Sequence, residues 1–140
     1  MCNSDRGCVL LADRNQRLSE GVRGLLETTF KVVVMVADEI SLFESLSQLQ
    51  VDLAIVDLSV TRGEGLRLVR RLRAQCPELK LIITSVHDEP SVTDAALEAG
   101  ANGFVPKRTI ATDLLPAVDT VIAGESYRSP TVLKCQRSER

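Results

Sequence analysis

Two hydrophobic periods alternate along this chain. Short runs of β-branched and aliphatic residues occur at Val9-Leu10-Leu11-Ala12, Val32-Val33-Val34-Met35-Val36, Leu53-Ala54-Ile55-Val56, Leu81-Ile82-Ile83-Thr84 and Phe104-Val105. Most are continuous rather than alternating, which is the pattern of strands buried on both faces of a parallel sheet. Between them, apolar residues recur at helical spacing. The sets are Leu18, Val22, Leu25 and Leu26; Leu42, Leu46 and Leu49, with Phe43 beside them; Leu66, Val69 and Leu72; Val92, Ala95, Ala96 and Ala99; and Leu114, Val118, Val121 and Ile122. Each set gathers on one side of a helix, where it covers the sheet. The third helix is expected to turn Arg67, Arg70, Arg71 and Arg73 away from that side.

The punctuation agrees. Ser91 is expected to cap the fourth helix, with Asp94 at its positive end, and Gly100 to end it in the left-handed conformation. Thr112 is expected to cap the fifth helix and Gly124 to end it, with Pro116 near the first turn, where proline does least harm. Five β-α units in succession predict an α/β fold, a five-stranded parallel doubly wound sheet with helices on both faces. The domain is expected over residues 8–125, after a polar segment 1–7. Residues 126–140 read as a polar tail or the start of an interdomain linker.

Composition narrows the class. The 140 residues suit one domain, and 44% apolar content is enough for one core. With 3% aromatic residues, that core must be built from Val, Leu, Ile and Ala. A net charge of −2 argues against a nucleic-acid-binding surface spread over the chain. The four cysteines, Cys2, Cys8, Cys76 and Cys135, form no C-x-x-C pair, and the single histidine, His87, is distant from all of them. They read as incidental thiols in a reducing cytoplasm rather than a zinc site or disulfide framework. No apolar run approaches the roughly 20 residues that span a bilayer, and the polar N-terminus lacks a signal-peptide segment, so a cytoplasmic protein without membrane contact is expected.

Ligands of such sheets bind at the carboxyl ends of the strands. The first strand runs into Asp13-Arg14, the third ends at Asp57, the fourth at Ser85, and Lys107 follows the fifth. A strand-terminal Asp or Ser alone is most simply a turn former, and a Lys alone a solvated side chain. Carboxylates, a hydroxyl and an ammonium converging on one edge outweigh those separate readings. His87, in the loop after Ser85, reads as an exposed loop residue. A flavin-binding module would need a phosphate loop after the first strand, but residues 13–17 contain no glycine.

The segments Leu10-Leu11-Ala12-Asp13, Asp52-Leu53-Ala54-Ile55-Val56-Asp57-Leu58-Ser59, Ile82-Ile83-Thr84-Ser85 and Gly100-Ala101-Asn102-Gly103-Phe104-Val105-Pro106-Lys107 resemble the four signature segments of response-regulator receiver domains of two-component signalling. Arg71-Leu72-Arg73, Cys76-Pro77-Glu78-Leu79-Lys80 and Ala123-Gly124-Glu125-Ser126-Tyr127 further resemble the NarL/FixJ-type (LuxR-type) subfamily, whose members usually carry a C-terminal helix-turn-helix DNA-binding domain. The resemblance implies the flavodoxin-like (βα)5 receiver fold. It implies that Asp57 is the phosphoacceptor, taking a phosphoryl group from a histidine kinase or phosphotransfer protein, with Ser85 and Lys107 completing the catalytic set. Ser85 would bond the phosphoryl oxygen, and Lys107 the phosphate or Asp57. Asp13, Asp57 and the Ser59 carbonyl would hold Mg²⁺, and Phe104 would switch rotamer as Ser85 moves. Such a domain is not a conventional enzyme; at most it transfers a phosphoryl group to its own Asp57. Its output would pass through protein contacts or a separate DNA-binding domain, without nucleic-acid contact of its own. The face of the fourth helix, fifth strand and fifth helix is the family's usual partner or dimer surface.

One departure bears on the chemistry. Receivers have a second acid directly after the first, and here that position is Arg14. Three acids with one lysine leave a net negative site that attracts a dication, whereas Arg14 and Lys107 balance Asp13 and Asp57. Arginine has no acceptor atoms and cannot ligate a metal. Three arrangements stay open. Arg14 points outward beside a weakened Mg²⁺ site, or it pairs with Asp57 or Asp13, or it joins Lys107 in neutralising an anion without metal. Weak or absent Mg²⁺ binding is expected. The alternative function is a phosphorylation-independent pseudo-receiver that acts as a protein-interaction module.

Overall fold

A computed structural model describes residues 6–129 except Arg62 and Asp88; residues 1–5 and 130–140, including Cys2 and Cys135, lie outside the described residues. The sheet orders its strands β2-β1-β3-β4-β5-β6, all parallel. The strands are β1 (Arg6–Ala12), β2 (Phe30–Val36), β3 (Leu53–Asp57), β4 (Lys80–Ser85), β5 (Gly103–Pro106) and β6 (Tyr127–Arg128). The helices are α1 (Gln16–Leu26), α2 (Glu39–Gln48), α3 (Gly65–Gln75), α4 (Pro90–Ala99) and α5 (Ile110–Ile122). Single 3₁₀ turns follow β3 at Leu58–Val60 and β5 at Lys107–Thr109.

Strand alternation divides the core in two. Val9, Leu11, Leu53, Ile55, Ile82 and Val105 face Val22 and Leu26 of α1 and Leu114, Ala117, Val118 and Val121 of α5. Leu10, Ala12, Ala54, Val56, Leu81, Ile83 and Phe104 face Leu42 of α2, Leu68, Val69 and Leu72 of α3, and Ala96 of α4. Both faces are covered, so the central strands are apolar at every position rather than at every second one.

The sheet has one strand more than the five expected. Residues 127–129, read from sequence as part of the tail or linker, are built into the fold. Tyr127 and Arg128 pair with Gly103 and Phe104 of β5. Arg128 reaches Asp94 on α4, and the buried Ser129 donates to Asp113 on α5. Two residues are too short for any periodicity to register; this strand exists only because β5 offers an open edge.

Two helix starts also differ from expectation. The fourth helix begins at Pro90 rather than after a Ser91 cap, because proline at the first helical position has the right φ and no N–H to leave unpaired. Helix α5 begins at Ile110, continuing from the 3₁₀ turn, and Thr112 donates to the Thr109 carbonyl instead of capping. Pro116 therefore sits in the second turn of α5, on its exposed side. Gly100 and Gly124 both have positive φ and end α4 and α5 as expected.

Arg73 departs furthest from the expected arrangement. It lies four residues beyond the buried Val69, so the helical period carries it toward the covered side, and it is half-buried. Its guanidinium donates to the Gly100 carbonyl through Nε (3.1 Å) and Nη2 (2.8 Å), to the Leu79 carbonyl (2.6 Å), the Pro77 carbonyl (2.9 Å) and Asn102 Oδ1 (2.8 Å). Asn102 Oδ1 also accepts from Leu81 N, so one side chain ties α3 to the start of β4 and the α4–β5 turn. A Cβ on Gly100 would lie 3.0 Å from the Arg73 Cβ, so glycine serves there both for its φ of +128° and for the space. Replacing Arg73 with methionine leaves these carbonyls short of donors and should lower the unfolding free energy by about 2–3 kcal/mol. Arg73→Lys should recover less than half of that, because an ammonium cannot reproduce the planar fork. Urea unfolding followed by circular dichroism measures both.

Candidate functional site

The groups singled out at the strand ends meet at one edge. Asp13 follows β1, with its N–H on the Val36 carbonyl of β2 at 3.1 Å. Asp57 is the last residue of β3 and Ser85 the last of β4, and Lys107 opens the turn after β5. Alternation from Leu11, Ile55 and Val105 carries Asp13, Asp57 and Lys107 to the α1/α5 side of the sheet.

Both carboxylates are nearly fully buried, Asp13 at 4% exposure and Asp57 at 2%. Their charge is met by Lys107, whose Nζ lies 2.7 Å from Asp13 Oδ2 and 3.5 Å from Asp57 Oδ1. Its closer partner is thus Asp13. Backbone donors complete the set: Asn15 N–H to Asp13 Oδ1 at 2.8 Å and Ser59 N–H to Asp57 Oδ2 at 2.9 Å. Each follows from a tight turn two residues after the acid, a local bond that Asp favours. The remaining bond to Asp57 comes from a residue the motifs did not single out. Thr84 Oγ1 donates to Asp57 Oδ1 at 3.0 Å. The available signal was register: Thr84 pairs with Asp57 across β3 and β4, so their side chains share a face.

The other expected groups stand around rather than on Asp57. Ser85 Oγ accepts from His87 N–H at 3.0 Å, turned into its own loop. Ser85 shares its strand parity with Ile83 and lies toward the α2–α4 side, as does Phe104, which is wholly buried. A cavity of about 700 Å³ opens over Asp57, with Arg14, Ser59, Ser85, His87 and Lys107 on its polar walls and Leu58, Val86 and Val92 on its apolar ones. His87 is exposed on its rim. A second cleft of about 730 Å³ lies between α2 and α3, lined by residues that include Asp38, Phe43, Glu64 and Arg71, and holds none of the strand-end groups.

Arg14 is exposed and makes no hydrogen bond or ion pair with another described residue. Of its three open arrangements, the ion pair with Asp57 or Asp13 is not formed. Among the described residues, no group of three His, Cys, Asp or Glu side chains is placed to share a metal ion.

The arrangement presents a buried carboxylate, a neighbouring ammonium and room for a ligand. It also makes Lys107 the sole cation within salt-bridge distance of two buried acids among the described residues. Lys107→Met should therefore destabilise the fold by about 3 kcal/mol, the cost of an uncompensated buried charge. Adding Asp13→Asn should return part of that loss, a coupling read from denaturant unfolding of both single variants and the double variant.

The chain is similar to known proteins in both sequence and fold. Residues 9–119 match the family described as the response regulator receiver domain. The chain is 29% identical over 132 residues to the transcriptional regulatory protein DegU of Brevibacillus brevis, covering 93% of this chain and 56% of DegU. It is 39% identical over 83 residues to the transcriptional regulatory protein UhpA of Salmonella typhimurium, covering 59% of this chain and 40% of UhpA. The chain thus spans about half the length of the curated relatives it matches. Among solved structures, a two-component response regulator of the LuxR family from Aurantimonas sp. superposes with a TM-score of 0.85 at 26% identity, covering 95% of this chain and 96% of that one. The isolated receiver domain of RcsB from Salmonella enterica, in its apo form, superposes with a TM-score of 0.82 at 26% identity, covering 93% and 98%. Among the described residues, no helix is long and apolar enough to cross a membrane.

Proposed function

The chain belongs to the response-regulator receiver family, and on that premise we propose that Asp57 accepts a phosphoryl group from the phosphohistidine of a histidine kinase or phosphotransfer protein. The observation that carries the proposal is a buried carboxylate at the end of β3, with Lys107 at 3.5 Å and an open cavity above it. An Asp57 oxygen attacks phosphorus as the P–N bond breaks, and the bonding pair stays on the imidazole. The main barrier is charge repulsion and positioning. Lys107 counters the charge of the incoming group, and burial strengthens its effect. Ser85, on the cavity wall, would bond a phosphoryl oxygen after leaving His87 N–H, and its movement would be passed to Phe104.

Receiver domains use Mg²⁺ for this transfer. The residues here suit the ion poorly. Asp13 Oδ2 is already engaged by Lys107 at 2.7 Å, Asp57 Oδ2 by Ser59 N–H, and the position of the second acid carries a cation. Asp13, Asp57 and the Ser59 carbonyl would be its remaining protein ligands. Mg²⁺ binding is therefore weak or absent in this reading, and transfer rests on Lys107 and Arg14 for positive charge.

Isothermal titration with Mg²⁺ checks the role of Arg14. Arg14→Asp should bind the ion at least about tenfold more tightly than the wild type, equivalent to about 1.4 kcal/mol. Equal affinities would remove Arg14 from the account.

The phosphoacceptor reading is checked on a phosphate-affinity gel after treatment with acetyl phosphate. A single retarded band, lost in Asp57→Ala, is expected. Absence of any shift, with or without Mg²⁺, would favour the pseudo-receiver acting by contacts alone. DegU and UhpA are transcriptional regulatory proteins, and the matched region makes up 56% and 40% of their lengths. Control of transcription, through a DNA-binding domain separate from this one and a dimer formed on the α4–β5–α5 face, belongs to the same proposal.

A further inference from the structure

Resting on the phosphoacceptor reading of Asp57, we propose that Thr84 is a positioning residue for that nucleophile, holding its carboxylate in place without help from a metal ion. Three observations meet here. Thr84 and Asp57 are cross-strand partners in the β3–β4 register, so backbone pairing brings their side chains together. Both are 2% exposed, so water does not compete for the 3.0 Å bond from Thr84 Oγ1 to Asp57 Oδ1. The other oxygen, Oδ2, is held by Ser59 N–H at 2.9 Å.

Two donors, one on each oxygen, fix the plane of a carboxylate. Ser59 contributes backbone, and Lys107 lies closer to Asp13 than to Asp57, so Thr84 is the side chain that sets Asp57. A metal ion would ordinarily orient such a carboxylate by ligating it. Here the sheet does so through a hydroxyl. Thr84 keeps its proton throughout the transfer. The O–P bond forms on Asp57 and the P–N bond of the donor breaks, while Thr84 restricts the directions from which the attacking lone pair points. Misplacement of a reacting atom by a fraction of its reach is costly in rate, so the hydroxyl acts on the maximal rate rather than on donor binding.

The alternative is that Thr84 merely satisfies its own buried hydroxyl. Replacement by valine, which has the same shape and sits beside Ile82 and Ile83, separates the two. The full chain, its Thr84→Val variant and its Thr84→Ser variant are compared in chelator and in Mg²⁺. Three-bond scalar couplings to the Asp57 side-chain carbons report its χ1 rotamer. Acetyl phosphate supplies the phosphoryl group for kinetics. The wild type and the serine variant should show one Asp57 rotamer in chelator, and the valine variant an average of several. The valine variant should lose about tenfold in maximal phosphorylation rate, with the half-saturating donor concentration within about twofold. Serine should restore the rate to within about twofold.

Equal maximal rates in the wild type and the valine variant would overturn the proposal. So would a serine variant as slow as valine, since the hydroxyl would then not be the cause. If no protein is phosphorylated, wild type included, the phosphoacceptor reading fails and the couplings alone decide. Averaging confined to valine keeps Thr84 as the residue that holds Asp57, and a single rotamer in all three removes it. Should the valine variant not fold, Thr84→Cys, which keeps the size and weakens the donor, takes its place.

Discussion

Two carboxylates are buried at the carboxyl edge of this sheet against one ammonium, and much of the surrounding structure exists to make that tolerable. Asp13 follows β1 and Asp57 ends β3, strands adjacent in the sheet, and Lys107 opens the turn after β5, two strands further along. Bare burial of these charges would cost more than a domain's stability. The ion pair, the backbone donors at Asn15 and Ser59, and the Thr84 hydroxyl reduce that cost. Balance within the cluster also governs what it accepts. In the proposed transfer, an arriving phosphoryl group would bring negative charge to acids that already share one lysine, and the exposed Arg14 lines the same cavity.

The far side of the sheet has its own organising cation. Arg73 ties the end of α3 to the beginning of β4 and to the Gly100–Asn102 turn that launches β5. Lys107 follows β5, so the position of that ammonium depends on a strand whose start is held by a guanidinium at the opposite end. Strand β6 adds a second hold on β5. It pairs with Gly103 and Phe104, and its flanking contacts reach Asp94 on α4 and Asp113 on α5. The α4–β5–α5 face, which receivers commonly use for partners, is in this way connected through the backbone of Phe104 to β6.

Much of the candidate site was legible from sequence because chain order and strand ends suffice to find it. A continuous apolar run ending in Asp57, and others followed by Asp13 and Lys107, needed only the rule that ligands meet the carboxyl ends of parallel strands. Thr84 was not legible in the same way. Beside Ser85 it looks like a strand residue of ordinary β propensity, and its role appears only when the register sets it opposite Asp57. Arg73 was misplaced for a related reason. Its run of arginines suggests a solvated face, while its angular position on α3 lies close to that of Val69.

The α/β alternation, the burial of the central strands on both faces and the identity of the residue at each strand end were determined by the sequence itself. They follow from continuous apolar runs, from the helical period of 3.6 between them and from composition, which neighbouring residues express without knowledge of the rest of the chain. Tertiary structure alone decided that Lys107 lies closer to Asp13 than to Asp57, that Ser85 turns into its own loop, that Arg14 stays unpaired among the described residues, and that Tyr127 and Arg128 extend the sheet. These are relations between distant segments. They depend on strand register, side-chain rotamer and the competition of several donors for one acceptor, and local hydrophobic periods carry no information about any of the three.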